Sequence, residues 1–152
     1  MSTTGVLILL RHGQAEPYRA DDASRALVLA GREEVKRSCA FLREHAWLPQ
    51  RIVASPYRRA QETAGIVQQE LAPVLAIETE PMLQPDADAG LTATMLAVLA
   101  EQPLLVATHM PLVAALLRNL TGRDWGFATG ALAVLRREGA QWRLAGQYSP
   151  TL

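Results

Sequence analysis

The sequence is poor in cysteine and in lysine: Cys39 is the single cysteine among 152 residues, and Lys36 is the single lysine. One cysteine excludes an intrachain disulfide and fits a reducing, cytoplasmic compartment. Net charge is also lacking. Fifteen Lys+Arg balance fifteen Asp+Glu, so nothing in the bulk charge favours nucleic acid or an anionic membrane surface. Long apolar runs are missing too. Met1-Ser2-Thr3-Thr4 has no basic segment, and the apolar run Val6 to Leu10 stops at Arg11. That pattern is neither a secretion signal nor a membrane span. With three histidines, one cysteine and no carboxylates clustered at ligand spacing, no metal set is expected. Repeats, linkers and low-complexity stretches are absent.

What remains is the composition of one globular domain, 49% hydrophobic and 20% charged. Val6 to Leu10 reads as a strand covered on both faces. A polar loop follows from Gln14 to Arg25, either a solvated loop or a substrate-facing rim. Helical spacing of Val35, Cys39, Leu42 and Ala46 predicts a helix over Gly31 to Trp47, with Cys39 in the core and His45 near the helix end. Arg51 to Ala54 reads as a second strand. Ser55-Pro56 reads as a helix start, Ser as N-cap and Pro in the first turn. That helix runs to about Leu71 and stops at Pro73. Val74 to Ile77 is a third strand, Pro81 to Gly90 a loop, and Leu91 to Ala100 a helix. Leu104 to Ala107 is a fourth buried strand, followed by a helix to Leu120. Ala131 to Arg136 and Trp142 to Tyr148 flank a turn at Glu138-Gly139. Strand and helix alternate, then a β-ribbon ends the chain. The expected fold is a three-layer α/β/α sandwich with a mostly parallel sheet and some antiparallel edge.

Three strand ends carry the chemistry: Arg11-His12-Gly13, Ser55-Pro56 with Arg58 and Arg59, and Thr108-His109. In a parallel sheet all three meet at the carboxyl edge, where ligands bind. Arginine forks match phosphate oxygens and keep their charge, and Gly13 allows close approach of the main chain. A neutral imidazole is a competent nucleophile, and a second one, protonated, can stabilise transition-state charge.

Arg11-His12-Gly13 after a first strand resembles the signature of the histidine phosphatase (phosphoglycerate mutase-like) superfamily. Ser55-Pro56-Tyr57-Arg58-Arg59-Ala60-Gln61-Glu62-Thr63, Thr108-His109-Met110-Pro111-Leu112-Val113 and Phe127-Ala128-Thr129-Gly130-Ala131 resemble its further motifs. Within it the chain is similar to the small SixA-type phosphohistidine phosphatases. The resemblance covers nearly the whole chain as one domain, 1–152. It implies His12 as the phosphorylated nucleophile, Arg11 and Arg59 as phosphate clamps with Gly13, and His109 completing a pocket for phosphate or another oxyanion. No cofactor is implied. Arg58 falls at a variable motif position.

The chain departs from this pattern twice. Where the larger superfamily places a proton-donating acid, this chain reads Leu83-Gln84-Pro85-Asp86. An alkoxide leaving group, with a parent pKa of about 15, needs a proton. Imidazole, near 6.5, does not. The missing acid favours a phosphoramidate such as phosphohistidine over a phosphate ester, with Glu80, Asp86 and Asp88 as remaining candidate donors. The chain has no room for a large cap insertion, and the open pocket this implies suits a phosphohistidine borne by a carrier protein. A small-molecule ester phosphatase of the same fold is the alternative, and a non-catalytic phosphate-binding module a further one. The second departure is Val28, which stands where the family carries a capping threonine. Val28 cannot cap the helix, at a cost of about 0.5–2 kcal/mol.

Overall fold

The chain folds as β1 (Val6–Arg11), α1 (Leu29–Glu44), β2 (Arg51–Ala54), α2 (Arg58–Leu71), β3 (Ile77–Thr79), α3 (Ala89–Leu99), β4 (Leu104–Thr108), α4 (Leu112–Thr121), β5 (Leu132–Glu138) and β6 (Gln141–Tyr148). The structure is a computed structural model that describes residues 5–151. Its sheet has six strands in the order β3-β2-β4-β1-β5-β6. The first four strands in that order run parallel, and β5 and β6 add an antiparallel edge.

The unbroken apolar run of β1 has a simple cause. Alternate side chains leave a strand on opposite faces, and both faces are covered. Leu7 and Leu9 pack with Leu96, Leu112 and Leu116 from α3 and α4, while Ile8 and Leu10 pack with Val35, Leu42 and Val67 from α1 and α2. β4 is divided the same way, Leu104 and Val106 to one side and Leu105 and Ala107 to the other. The three-layer expectation holds. Cys39 lies in the α1–α2 layer, and burial pushes its thiol up to about 12, as suits an inert core cysteine.

Register places the site. Arg11 pairs with Thr108 and Ala54 with Ala107. The residues that follow, His12, Ser55 and His109, therefore emerge together at one sheet edge.

Several boundaries differ from the expectation. α1 begins at Leu29, before Gly31, and ends at Glu44, short of Trp47. Val28 occupies its N-cap position and makes no side-chain capping bond, as expected. A small ladder secures the preceding loop instead: Glu16 N–H donates to the Ala26 carbonyl at 2.8 Å and Val28 N–H to that of Gln14 at 3.0 Å. α2 starts at Arg58, so Ser55 is not its N-cap. The Ser55 hydroxyl accepts from the Tyr57 amide at 3.2 Å and pairs with His109, which commits it to the site. The third strand is Ile77–Thr79, not Val74 to Ile77, and Val74 is 93% exposed. As an edge strand, β3 carries polar Glu78 and Thr79, which no apolar run announces. The expected loop from Pro81 to Gly90 opens with a 3₁₀ turn, and α3 starts at Ala89, capped by Asp88. The hairpin turn sits at Gly139-Ala140, one residue on.

Gly13 and Gly31 touch across the β1–α1 connection. A Cβ on Gly13 would lie 2.4 Å from the Gly31 carbonyl oxygen, and one on Gly31 would lie 2.1 Å from that of Gln14. Neither backbone can yield without moving the loop that holds the site. Gly31→Ala is expected to cost about 3 kcal/mol, measured as a lower urea midpoint. An unchanged midpoint would show that the two segments can separate freely.

Candidate active site

His12 follows β1 directly and is 6% exposed. Its Nδ1 lies 2.7 Å from the Gly13 carbonyl oxygen. A carbonyl only accepts, so Nδ1 carries the proton and donates. Nε2 is left with a lone pair, and the Nε–H of Arg59 faces it at 3.3 Å. Burial, together with Arg59 and Arg11, lowers the His12 pKa to about 3 against the pull of the Gly13 carbonyl. The ring is neutral at ordinary pH, with its unprotonated nitrogen facing Arg59.

His109, at the end of β4, is buried and stands edge-on to His12 with ring centroids 5.1 Å apart. Its Nε2 meets the Ser55 hydroxyl at 2.8 Å. Burial lowers its pKa to about 2, with His12, Arg59 and Arg11 adding to the effect. The expected protonated imidazole therefore needs an anion beside it before it can form.

Arg59 comes from the first turn of α2 and is 4% exposed, whereas Arg58 turns outward to Glu62 at 3.0 Å. The 100° step of a helix separates the two. Arg11 donates from Nη1 to the Phe127 carbonyl at 2.9 Å. Burial lowers both arginine pKa values, Glu34 opposing it for Arg11 and Asp22 for Arg59. Two buried nitrogens have no hydrogen-bond partner among the described residues: Arg11 Nε and His109 Nδ1. Both residues line one pocket of about 410 Å³, together with His12 and Arg59.

The four side chains singled out in the sequence thus converge. Gly13 does so differently: it is not in the pocket wall. Its carbonyl holds His12, and its amide donates to Thr63 Oγ1 at 3.2 Å. The candidate proton donors do not converge. Glu80 accepts from the Met82 amide, Asp88 from the Leu91 amide, and Asp86 is exposed. Pro85 does reach the wall, and Asp22 is its one carboxylate among the described residues.

Sequence reasoning missed Asp22, Arg25 and Glu34. Asp22 and Arg25 belong to the loop from Gln14 to Arg25, whose rim alternative the geometry favours, since Gln14, Tyr18, Asp22 and Arg25 all line the pocket. Glu34 accepts from the Gln14 amide at 2.9 Å and from the Thr129 hydroxyl at 3.1 Å, joining two sides of the wall. Only its helical position suggested an exposed acid. Among the described residues, no group of three His, Cys, Asp or Glu side chains is spaced to hold a metal ion, and no helix is long and apolar enough to cross a membrane.

Comparison with known proteins gives the chain's family and fold. Residues 7–95 match the family described as Histidine phosphatase superfamily (branch 1). The chain is 30% identical to the phosphohistidine phosphatase SixA of Escherichia coli, over 84% of this chain and 82% of that protein. It is 29% identical to the SixA homolog of Haemophilus influenzae, over 77% of each. Among solved structures, a protein histidine phosphatase SixA complexed with tungstate superposes with a TM-score of 0.88 at 29% identity, covering 95% of this chain and 97% of the other. The chain belongs to branch 1 of the histidine phosphatase superfamily.

Proposed function

We propose that this single-domain enzyme removes the phosphoryl group from a phosphohistidine borne by a carrier protein, through a phosphohistidine intermediate on His12. One observation carries the reading: a neutral imidazole nitrogen faces a pocket of guanidinium groups whose one carboxylate among the described residues, Asp22, is already bound to two of them.

In the first step the Nε2 lone pair of His12 attacks phosphorus. The P–N bond to the substrate imidazole breaks, and its electron pair returns to that ring. When the substrate's other ring nitrogen is protonated, the leaving imidazole is neutral. Positive charge appears instead on His12, where the Gly13 carbonyl at 2.7 Å is placed to stabilise it through Nδ1–H. Arg11 and Arg59 hold the phosphoryl oxygens, and His109 Nδ1, buried without a partner, supplies a further contact. In the second step water attacks phosphorus and His12 leaves as neutral imidazole, releasing dihydrogen phosphate. Neither step calls for a general acid.

The energetic argument against an ester is large. Alkoxide and imidazole leaving groups differ by roughly nine pKa units, an upper limit of about 12 kcal/mol that a proton donor would have to offset. Asp22 cannot donate: burial works to raise its pKa, but the hydrogen bonds from Arg25 and Arg59 prevail and keep it ionised. Turnover of a phosphorylated histidine carrier domain should exceed that of a phosphate-ester panel by at least about 100-fold in kcat/KM, a modest share of that limit. Equal or faster ester turnover would assign the pocket to small-molecule esters.

A further inference from the structure

Asp22 lies away from the three strand ends, in the 3₁₀ turn Asp22–Ser24 between β1 and α1. It nonetheless grips two pocket arginines. Its main-chain carbonyl accepts from Arg59 Nη1 at 2.8 Å, and its Oδ2 accepts from Arg59 Nη2 at 3.1 Å. Its Oδ1 accepts from Arg25 Nε at 2.8 Å. A guanidinium is planar, with its donors in a rigid fork. Once Nη1 and Nη2 are both held by Asp22, the plane cannot rotate. Nε–H is then left facing His12 Nε2 at 3.3 Å, and the Tyr57 ring lies 4.9 Å from the guanidinium carbon. Arg25 closes the same unit from the other side, its Nη1 donating to the Glu16 carbonyl at 2.7 Å.

We propose that Asp22 is a positioning residue for phosphoryl transfer: it presents the Nε edge of Arg59 to the reacting nitrogen of His12 and keeps Arg25 beside it. This rests on His12 being the nucleophile. The 3.3 Å contact is long for a hydrogen bond, so an arriving phosphoryl oxygen takes the Arg59 Nε–H from His12 with little loss and frees the lone pair. Asp22 ensures that the released donor already points at the transferring group.

The carboxylate has two opposed effects. It aligns Arg59, which speeds transfer. It also places a negative charge in the wall of an anion pocket, which weakens phosphate binding. Removing the charge should therefore slow the chemistry and tighten phosphate at the same time. A purely structural residue does not produce that combination.

The test uses the full chain with Asp22→Asn and Asp22→Ala, free phosphohistidine as substrate and orthophosphate as competitive inhibitor. Asparagine keeps the shape and an acceptor but not the charge. The kcat is expected to fall about tenfold in Asp22→Asn and about 100-fold in Asp22→Ala, through misalignment at the reacting atoms. The inhibition constant of orthophosphate should drop roughly threefold in both, as expected for loss of a partly exposed like charge. Unchanged kcat overturns the proposal. So does a fall in kcat accompanied by weaker phosphate binding and a lower melting temperature, which would make Asp22 a structural residue. A wild-type protein with no turnover and no label on His12 overturns the phosphatase reading, and this proposal with it; active wild type with unaltered variants overturns this proposal alone.

Discussion

His12→Ala is expected to reduce turnover by on the order of 10⁶-fold, as for removal of a covalent nucleophile elsewhere, and to abolish ³²P labelling from a radiolabelled phosphohistidine substrate. The reason lies in how many features depend on one nitrogen. Nδ1 is anchored to Gly13, Nε2 is the unprotonated atom, and Arg59 is aimed at it. Water entering in place of the imidazole has no such anchor, and it would attack without the covalent step that separates the two bond changes. The variant should stay folded, because the imidazole contributes one local hydrogen bond and one long contact with Arg59, and the packed layers on both sheet faces do not contain it. Circular dichroism checks the fold, and denaturing gel autoradiography checks the label. A labelled His12→Ala protein would place the phosphoryl acceptor elsewhere.

The second large effect concerns acid. The folded pKa values of His12 and His109 are lowered to about 3 and about 2, whereas the unfolded chain titrates near 6.5. Above about pH 6.5 neither state binds a proton at these rings, and stability is at its full value. As pH falls below that, the unfolded chain takes up protons that the folded one refuses, so the unfolded state gains and stability is lost. The loss continues down towards the two folded values. Each ring contributes up to about 1.4 kcal/mol per pH unit, so two rings between pH 7 and 5 cost about 4 kcal/mol, a large part of a domain's usual 5–15 kcal/mol. Urea midpoints of the phosphate-free protein at pH 7 and pH 5 measure this, and His12→Asn should roughly halve the slope. A flat profile would mean that both rings charge freely when folded. The measurement stops at pH 5, because Asp22, Glu16 and Glu78 also have lowered pKa values and add their own loss at lower pH.

The two effects share a cause. The burial that keeps His12 neutral and reactive is the same burial that makes the pocket a stability liability in acid. Arg11, Arg59 and Arg25 reinforce it for both rings. A bound phosphate dianion works against this at His109. It supplies negative charge beside the ring and favours the protonated form as charge builds on the transferring group.

The sequence by itself determined the layers, the sheet edge and the principal residues at it. Buried strands advertise themselves by continuous apolar runs, as in β1 and β4. Strand ends advertise their cargo because a parallel sheet brings them to one level. Arg11, His12, Arg59 and His109 were therefore legible. Legibility faded where burial was partial: β3, a polar edge strand, begins three residues later than expected, and the start of α2 was misplaced because Ser55 answers to His109, a residue 54 positions away. Which nitrogen of His12 is free, where its pKa lies and what holds Arg59 were decided only by the tertiary structure. These depend on distances between loops that no periodicity records. The opening stretch Arg11-His12-Gly13 named the proposed nucleophile. Asp22, from a loop read as a solvated segment or a rim, sets the direction from which an arginine meets it, because a guanidinium held at two nitrogens has one edge left to offer.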